Sequence, residues 1–201
     1  MSKLKIYANH VSGNCWKVKW TADYLAIPNE WIEIDIFAGA SRTPEFLAIN
    51  PWGQTPTVLL PDGRVLTQSN AIISYLAEGS TLVPTDGYAR AQMNEWLFWE
   101  QNSHETTIAT RRAHLNYRGK IESEIDPGML EGGKRALARM EQHLVKKDYL
   151  VGDGLTLADI ALVAYTRVAP EGGFDLTPYP SVQNWIRRIE HELDVKPIEA
   201  A

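Results

Sequence analysis

Three short clusters in this chain combine residue types that can do chemistry. The first is Ser12-Gly13-Asn14-Cys15, a loop that follows a strand-like run and opens a helix. Backbone N–H groups at such a start point at whatever binds there, and a negative group is stabilised by the helix dipole. A thiolate is a negative group. A serine hydroxyl beside one, together with the dipole, can lower a thiol pKa by about one or two units, each of about 1.4 kcal/mol. Cys15 offers a second reading, because a helix-start cysteine can itself be reactive and form a mixed disulfide. A third reading makes it a small buried helix residue facing a sheet. The second cluster is Thr55-Pro56, just ahead of a strand. An X-Pro bond is where a cis peptide is affordable, and a cis Pro56 would turn the Thr55 backbone outward to pair with an extended, peptide-like ligand. The third is Gln68-Ser69, where strand passes into helix. A hydroxyl and free N–H groups there make a carboxylate site.

The elements that must hold these clusters can be read from periodicity. Lys3 to Ala8 alternates polar and apolar and reads as a strand. A helix is expected from about Cys15 to Ala26, with Cys15, Val18, Ala22 and Leu25 on one face, and Pro28 beyond its end. Glu30 to Ile36 alternates again, with Ile32, Ile34 and Ile36 on one side. Thr43-Pro44 opens a short helix. Thr57 to Leu60 and Arg64 to Thr67 form a hairpin around Asp62-Gly63. Ser69 or Asn70 then caps a helix carrying Ile72, Ile73, Tyr75 and Leu76. The order is βαβαββα. Tyr7 lies within the first strand and reads as core.

After residues 80–87, rich in breakers and read as a linker, the period becomes 3.6 and stays so. One long helix is expected from Tyr88 to about Asn116, and Asp126-Pro127-Gly128 reads as a break. Further helices are expected over Met129 to Lys146, Thr156 to about Val168, and Pro180 to about Glu192. Thr156 and Asp159 have the spacing of a capping box, with Leu155 and Ile160 as its hydrophobic staple. Asp159 is therefore assigned to folding rather than chemistry. Two domains follow: residues 1–79, mixed α/β, and residues 88–201, all helical.

The totals narrow the function. The chain has 201 residues, net charge −5 and pI near 5.6, which argues against nucleic acid and anionic membranes as partners. A single cysteine excludes an intrachain disulfide and suits a reducing compartment. Five scattered histidines and one cysteine show no metal-ligand spacing. The chain shows neither a long apolar run nor a leader-like start, so a cytoplasmic location is expected.

The stretch Asn50 to Leu76, NPWGQTPTVLLPDGRVLTQSNAIISYL, resembles the glutathione-site half of the glutathione transferase family. That family places a proline in cis after a short residue, then a hairpin, then a Gln/Glu-Ser pair opening a helix. The likeness extends over the whole chain. It implies a thioredoxin-like first domain of the βαβαββα order and an all-α second domain. It also implies glutathione as co-substrate, no metal, and a homodimer working in detoxification. Ser12, three residues ahead of a cysteine, is similar to the serine of theta-like enzymes. The N-terminal motif as a whole is of a bacterial, theta/nu-like type, with Asn14 as a helper at the sulfur. Cys15 lies where beta-class bacterial enzymes carry a functional cysteine. By the same resemblance, Thr55 beside Pro56 pairs with the cysteinyl unit, and Gln68 and Ser69 hold the γ-glutamyl end. Gln54, ahead of Arg42, takes the glycyl carboxylate. A hydrophobic electrophile is expected between the domains, over the long helix, near Trp99, His104, Ile108, Arg111 and Arg112. The implied activity is conjugation of glutathione to that electrophile. Disulfide reduction or ether cleavage with the same thiol is the enzymatic alternative, and a non-catalytic binding protein of the same fold is the other.

Overall fold

A computed structural model of the chain describes residues 3–196. The chain divides into two compact units at Ser80–Thr81.

The first unit is a four-stranded mixed sheet in the order β2-β1-β3-β4 with helices packed on it. Strand β1 (Leu4–Ala8) pairs in parallel with β2 (Asn29–Glu33), with Leu4 opposite Asn29 and Ala8 opposite Glu33. On its other side β1 runs antiparallel to β3 (Thr57–Leu59), which forms a hairpin with β4 (Val65–Thr67). Alternation in β1 sends Leu4, Ile6 and Ala8 into the core, as expected of period 2. Helix α1 (Gly13–Tyr24) buries Cys15, Val18 and Ala22, and α3 (Ser69–Leu76) buries Ile72 and Ile73; the two helices pack together. Helix α2 (Pro44–Ile49) is capped by Thr43, whose hydroxyl accepts from Phe46 N–H at 3.3 Å. Tyr7 is half-buried, its ring edge-on to Phe46 at 6.0 Å.

Several boundaries differ from those expected, each for a local reason. Helix α1 starts two residues early because the Ser12 carbonyl already accepts from Cys15 and Trp16 N–H, both at 3.0 Å. Its last expected residues, Leu25 and Ala26, lie past its end, and Ala26 has φ 52°. Strand β2 stops at Glu33 because the Asp35 carboxylate captures the Phe37 and Ala38 N–H groups at 3.0 and 2.9 Å, closing a turn. Ile36 therefore never joins the sheet. Leu60 and Arg64 close the hairpin by a backbone bond of 2.8 Å instead of extending its strands. Neither Ser69 nor Asn70 caps α3; Gln68 stands at the N-cap.

The second unit is helical: α4 (Gly87–Trp99), α5 (Thr110–Asn116), α6 (Pro127–Leu144), α7 (Leu157–Thr166) and α8 (Pro180–Glu192). Helix α7 is buried along its whole length, and α6 and α8 turn apolar stripes inward through Leu137, Met140, Trp185 and Ile189. The expected long helix over Tyr88 to Asn116 is not one α-helix. From Glu100 to Ala109 it widens into a π-helix. Hydroxyls line that stretch and bond to its carbonyls: Thr106 to Asn102, Thr107 to Ser103 and Thr110 to Glu105, at 3.1, 2.9 and 3.3 Å. Such back-bonding supports carbonyls whose helical partners have moved away. Asp126-Pro127-Gly128 is a helix start rather than a break: Asp126 accepts from Gly128 N–H at 2.8 Å and Pro127 is the first residue of α6. Asp159 closes the capping box with Thr156 and is fully buried. Its carboxylate also takes Leu150 N–H and Trp185 Nε1–H, each at 2.9 Å. Among the described residues, no helix is long and apolar enough to cross a membrane.

Candidate functional site

Within the first unit, the end of β1, the start of α1, the Asn50–Thr57 turn and the start of α3 carry the residues singled out above. Thr55-Pro56 is cis, and Pro56 is buried. The turn ahead of it is built from inside. Asn50, almost fully buried, donates from Nδ2 to the Gln54 carbonyl and to Thr57 Oγ1, both at 2.9 Å, and accepts from Trp52 N–H at 3.1 Å. Thr57 Oγ1 donates to the Gln54 carbonyl at 2.8 Å. Gly53 has φ 60°, and a Cβ there would meet the Ser41 carbonyl and the Arg42 guanidinium, each at 2.7 Å, so only glycine fits. The turn thus holds Gln54-Thr55-Pro56 at the start of β3, an inner strand of the sheet.

Ser12 is the half-buried N-cap of α1. Asn9 N–H donates to the Cys15 sulfur at 3.3 Å, and the Ser12 and Thr55 side chains lie beside the same thiol. Burial pushes the Cys15 thiol up, against these bonds, which pull it down. The mixed-disulfide reading of Cys15 needs an exposed, acidic thiol; Cys15 is fully buried instead and packs in the core of the first unit.

At the opening of α3, Gln68 adopts φ 69° and ψ 112°. This conformation lies outside the ordinary left-handed well and is held only where the surroundings impose it. It leaves the Gln68 side chain exposed, near Gln54 at 3.5 Å. Ser69, nearly buried, donates its hydroxyl to Asn14 Oδ1 at 2.8 Å, tying α3 to α1. The same oxygen accepts from the ammonium of Lys17, which is fully buried. Arg42 donates to the Trp52 carbonyl at 3.0 Å, which makes it part of the turn's support.

Ser69 and Asn14 thus join the starts of α3 and α1 by a hydrogen bond, and Ser12 and Thr55 meet beside the Cys15 thiol. The two helix N-termini, at Gly13 and Ser69, suit anionic groups. Asn9, Lys17, Asn50 and Thr57 were missed from the sequence. Only Lys17 left a trace, three residues after Asn14 on the same helix face.

The expected electrophile residues divide. Trp99 lines an open cavity of about 400 Å³ with Ser103, Thr107, Arg135 and Arg139. The Arg139 guanidinium lies 4.6 Å from the Trp99 ring centre. The other four are buried. His104 is buried with Nε2 at 2.9 Å from Thr166 Oγ1, and Ile108 is fully buried. Arg111 donates to the Gly172 carbonyl at 2.8 Å and to Glu122 at 2.5 and 2.6 Å. Arg112 donates to Glu171 at 2.7 Å and to Tyr117 at 2.8 Å. These four occupy the inward stripe of the π and α5 segments, where charge is tolerated only when paired. Among the described residues, no group of acidic, histidine or cysteine side chains could hold a metal ion.

Comparison with known proteins agrees with this layout. Residues 11–78 match the family model for the glutathione S-transferase N-terminal domain, and residues 120–192 match that for the C-terminal domain. Glutathione S-transferase 3 of Zea mays is 31% identical over 197 residues, covering 92% of this chain and 88% of its own. The crystal structure of a glutathione S-transferase from Pseudomonas fluorescens superposes with TM-score 0.90 at 44% identity, over 94% of this chain and 95% of that one. A possible glutathione S-transferase from Rhodopseudomonas palustris gives 0.91 at 40% identity, over 98% and 100%. The N-terminal match spans Ser12, cis-Pro56 and Ser69, the C-terminal match spans the buried Asp159 box, and both halves recur in one order in the Zea mays relative: the chain belongs to the glutathione S-transferase family.

Proposed function

We propose that the chain is a glutathione transferase that binds glutathione on the first unit and adds its thiolate to hydrophobic electrophiles. The supporting observation is that cis-Pro56 follows Thr55, which meets Ser12 beside the Cys15 thiol, while the Ser69–Asn14 hydrogen bond joins the starts of α3 and α1. In this reading the tripeptide lies extended along Thr55-Pro56. Thr55 pairs with its cysteinyl backbone, Gln68 and Ser69 hold the γ-glutamyl end at the start of α3, and Gln54 meets the glycyl carboxylate. Arg42 acts on that end only through the turn it supports. The sulfur sits at the start of α1. Ser12, a serine of the theta/nu-like type, donates to the thiolate, and Asn14 assists.

A free thiol near pKa 8.5 is mostly protonated at neutral pH, so lowering it by about one unit raises the nucleophile roughly tenfold. The carbon–sulfur bond forms as the electrophile's leaving group departs or its double bond takes up the electron pair. The protein acts as a cytoplasmic homodimer in this reading, with glutathione as co-substrate and no metal.

The test is calorimetric titration with glutathione, followed by spectroscopic titration of the bound thiol in wild type and Ser12→Ala. Saturable binding, a lowered thiol pKa and a rise of about one unit in Ser12→Ala are expected. No heat at millimolar glutathione overturns the binding reading, and an unmoved pKa overturns the role of Ser12. Turnover with a panel of hydrophobic electrophiles and small disulfides then separates conjugation from reduction, and binding without turnover overturns the enzymatic reading.

A further inference from the structure

The cavity beside Trp99 lies wholly within the second unit. One wall is the widened segment from Glu100 to Ala109, and the other is the middle of α6. Its volume of about 400 Å³ is that of a small-molecule site. The walls come together at Gly132, where a Cβ would fall 2.6 Å from Thr107 Cγ2.

The charges that line this space have one sign. Arg135 and Arg139 stand one turn apart on α6 and both line it, and among the described residues no acidic side chain does. Like charges at that spacing repel each other. Arg139 has a counter-charge in Glu95, at 3.3 Å, but both partners are exposed and such a pair is weak. Its guanidinium is also held over two rings, 4.6 Å from the centre of Trp99 and 5.0 Å from that of Trp96. Arg135 makes no hydrogen bond or ion pair among the described residues. Glu131, a turn before it, feels its charge but bridges to Lys134 at 2.9 Å. Arg135 Nη2 lies 3.7 Å from the position of a Cβ on Gly132, so this guanidinium reaches back across the floor of the cavity.

The facing wall adds uncharged donors. Thr106 and Thr107 give their hydroxyl protons to the carbonyls of Asn102 and Ser103. The side chains of Asn102 and Ser103 also line the cavity, and neither makes a hydrogen bond among the described residues. Two guanidinium groups with an amide and a hydroxyl opposite them recognise an anion. The flat faces of Trp99 and of the Arg139 guanidinium suit a planar ring. We infer that this cavity binds a planar aromatic anion, a carboxylate or a sulfonate, whose acid group meets Arg135 and Arg139 and whose ring lies against Trp99. The site is confined to the second unit and does not rest on the glutathione reading.

The experiment is calorimetric titration of the full chain with naphthalene-2-sulfonate and with naphthalene-2-sulfonamide, its neutral analogue of similar shape, each with and without saturating glutathione. The sulfonate should bind saturably, about tenfold tighter than the sulfonamide, and more weakly as salt rises. Arg135→Gln and Arg139→Gln should each weaken the sulfonate about fivefold and leave the sulfonamide within about twofold. Trp99→Leu should weaken both probes. Arg135 is exposed and breaks no hydrogen bond when replaced, so Arg135→Gln tests the site even if another variant fails to fold. No binding of the sulfonate at millimolar concentration, or equal affinity for the two probes, overturns the inference. So does an Arg135→Gln variant that binds the sulfonate as wild type does, or a Trp99→Leu variant unchanged for both probes. Displacement of the sulfonate by glutathione puts the probe on the first unit and overturns it as well. A chain that fails to bind glutathione but shows the expected sulfonate pattern loses the glutathione reading and keeps this site.

Discussion

Replacing Gln68 by glycine and, separately, by alanine distinguishes what its side chain does from what its backbone does. Gln68 stands at φ 69° and ψ 112°, a region costing a residue with a Cβ about 1–3 kcal/mol. Alanine keeps the Cβ and hence the strain. It removes only an exposed side chain whose link to Gln54 is 3.5 Å long, so Gln68→Ala should change stability by no more than about 0.5 kcal/mol. Glycine removes the strain, about 1–2 kcal/mol, but gives the unfolded chain freedom worth about 0.5–1 kcal/mol. Gln68→Gly should therefore stabilise by about 0.5–1 kcal/mol, an unusual sign for a substitution in a binding site. Affinity should move the other way. Both variants lose the side chain that faces the γ-glutamyl end in the proposed complex, and glycine, relaxed out of the strained conformation, must return to it when glutathione binds. A cost of about 1 kcal/mol is about fivefold in Kd, so Gln68→Gly should bind glutathione more weakly than Gln68→Ala by that factor. Because the chain has two units, a single unfolding midpoint mixes them. Hydrogen exchange read on the segment from β3 through α3, with calorimetry for glutathione, gives both quantities locally. If Gln68→Gly exchanges faster than Gln68→Ala in that segment, the backbone is not strained there and the reasoning fails.

Two further outcomes follow from buried groups. Each oxygen of Asp159 takes two donors: Leu150 N–H and Trp185 Nε1–H on Oδ1, Thr156 N–H and Oγ1–H on Oδ2. Asp159→Asn can turn its NH2 toward the Thr156 pair, where the hydroxyl accepts but the N–H is left unmet, and one buried donor without a partner costs about 1–3 kcal/mol; a loss below about 0.5 kcal/mol in urea unfolding would refute this account. The Cys15 thiol, pushed up by burial, should react with a disulfide reagent in the folded protein far more slowly than a free thiol. Because the unfolded chain gives up that proton first, the stability Cys15 contributes is whole below about pH 8.5 and is lost as pH rises through the folded value. Cys15→Ala should flatten that alkaline slope, and an unaltered slope would show that another group causes it.

What the sequence revealed about the site was decided by range. Pro56, the hairpin around Gly63 and the Thr156–Asp159 box are local devices, complete within a few residues, and each is found where the spacing placed it. Other roles depend on a partner far along the chain. His104, Arg111 and Arg112 sit at spacings that suit a binding face or a core stripe equally well. All three are buried and bonded to Thr166, Glu122 and Glu171, which lie 62, 11 and 59 residues away in sequence. Asn14 shows the same dependence inside the site. Its place two residues after Ser12 suggests a helper at the sulfur, yet a carboxamide can present either of two opposite chemistries. Its Oδ1 accepts from Ser69, 55 residues away, and from a lysine whose burial no local pattern announces. Periodicity names the faces of a helix; it does not say which face a distant element will cover, or which way a planar amide will be turned beneath it.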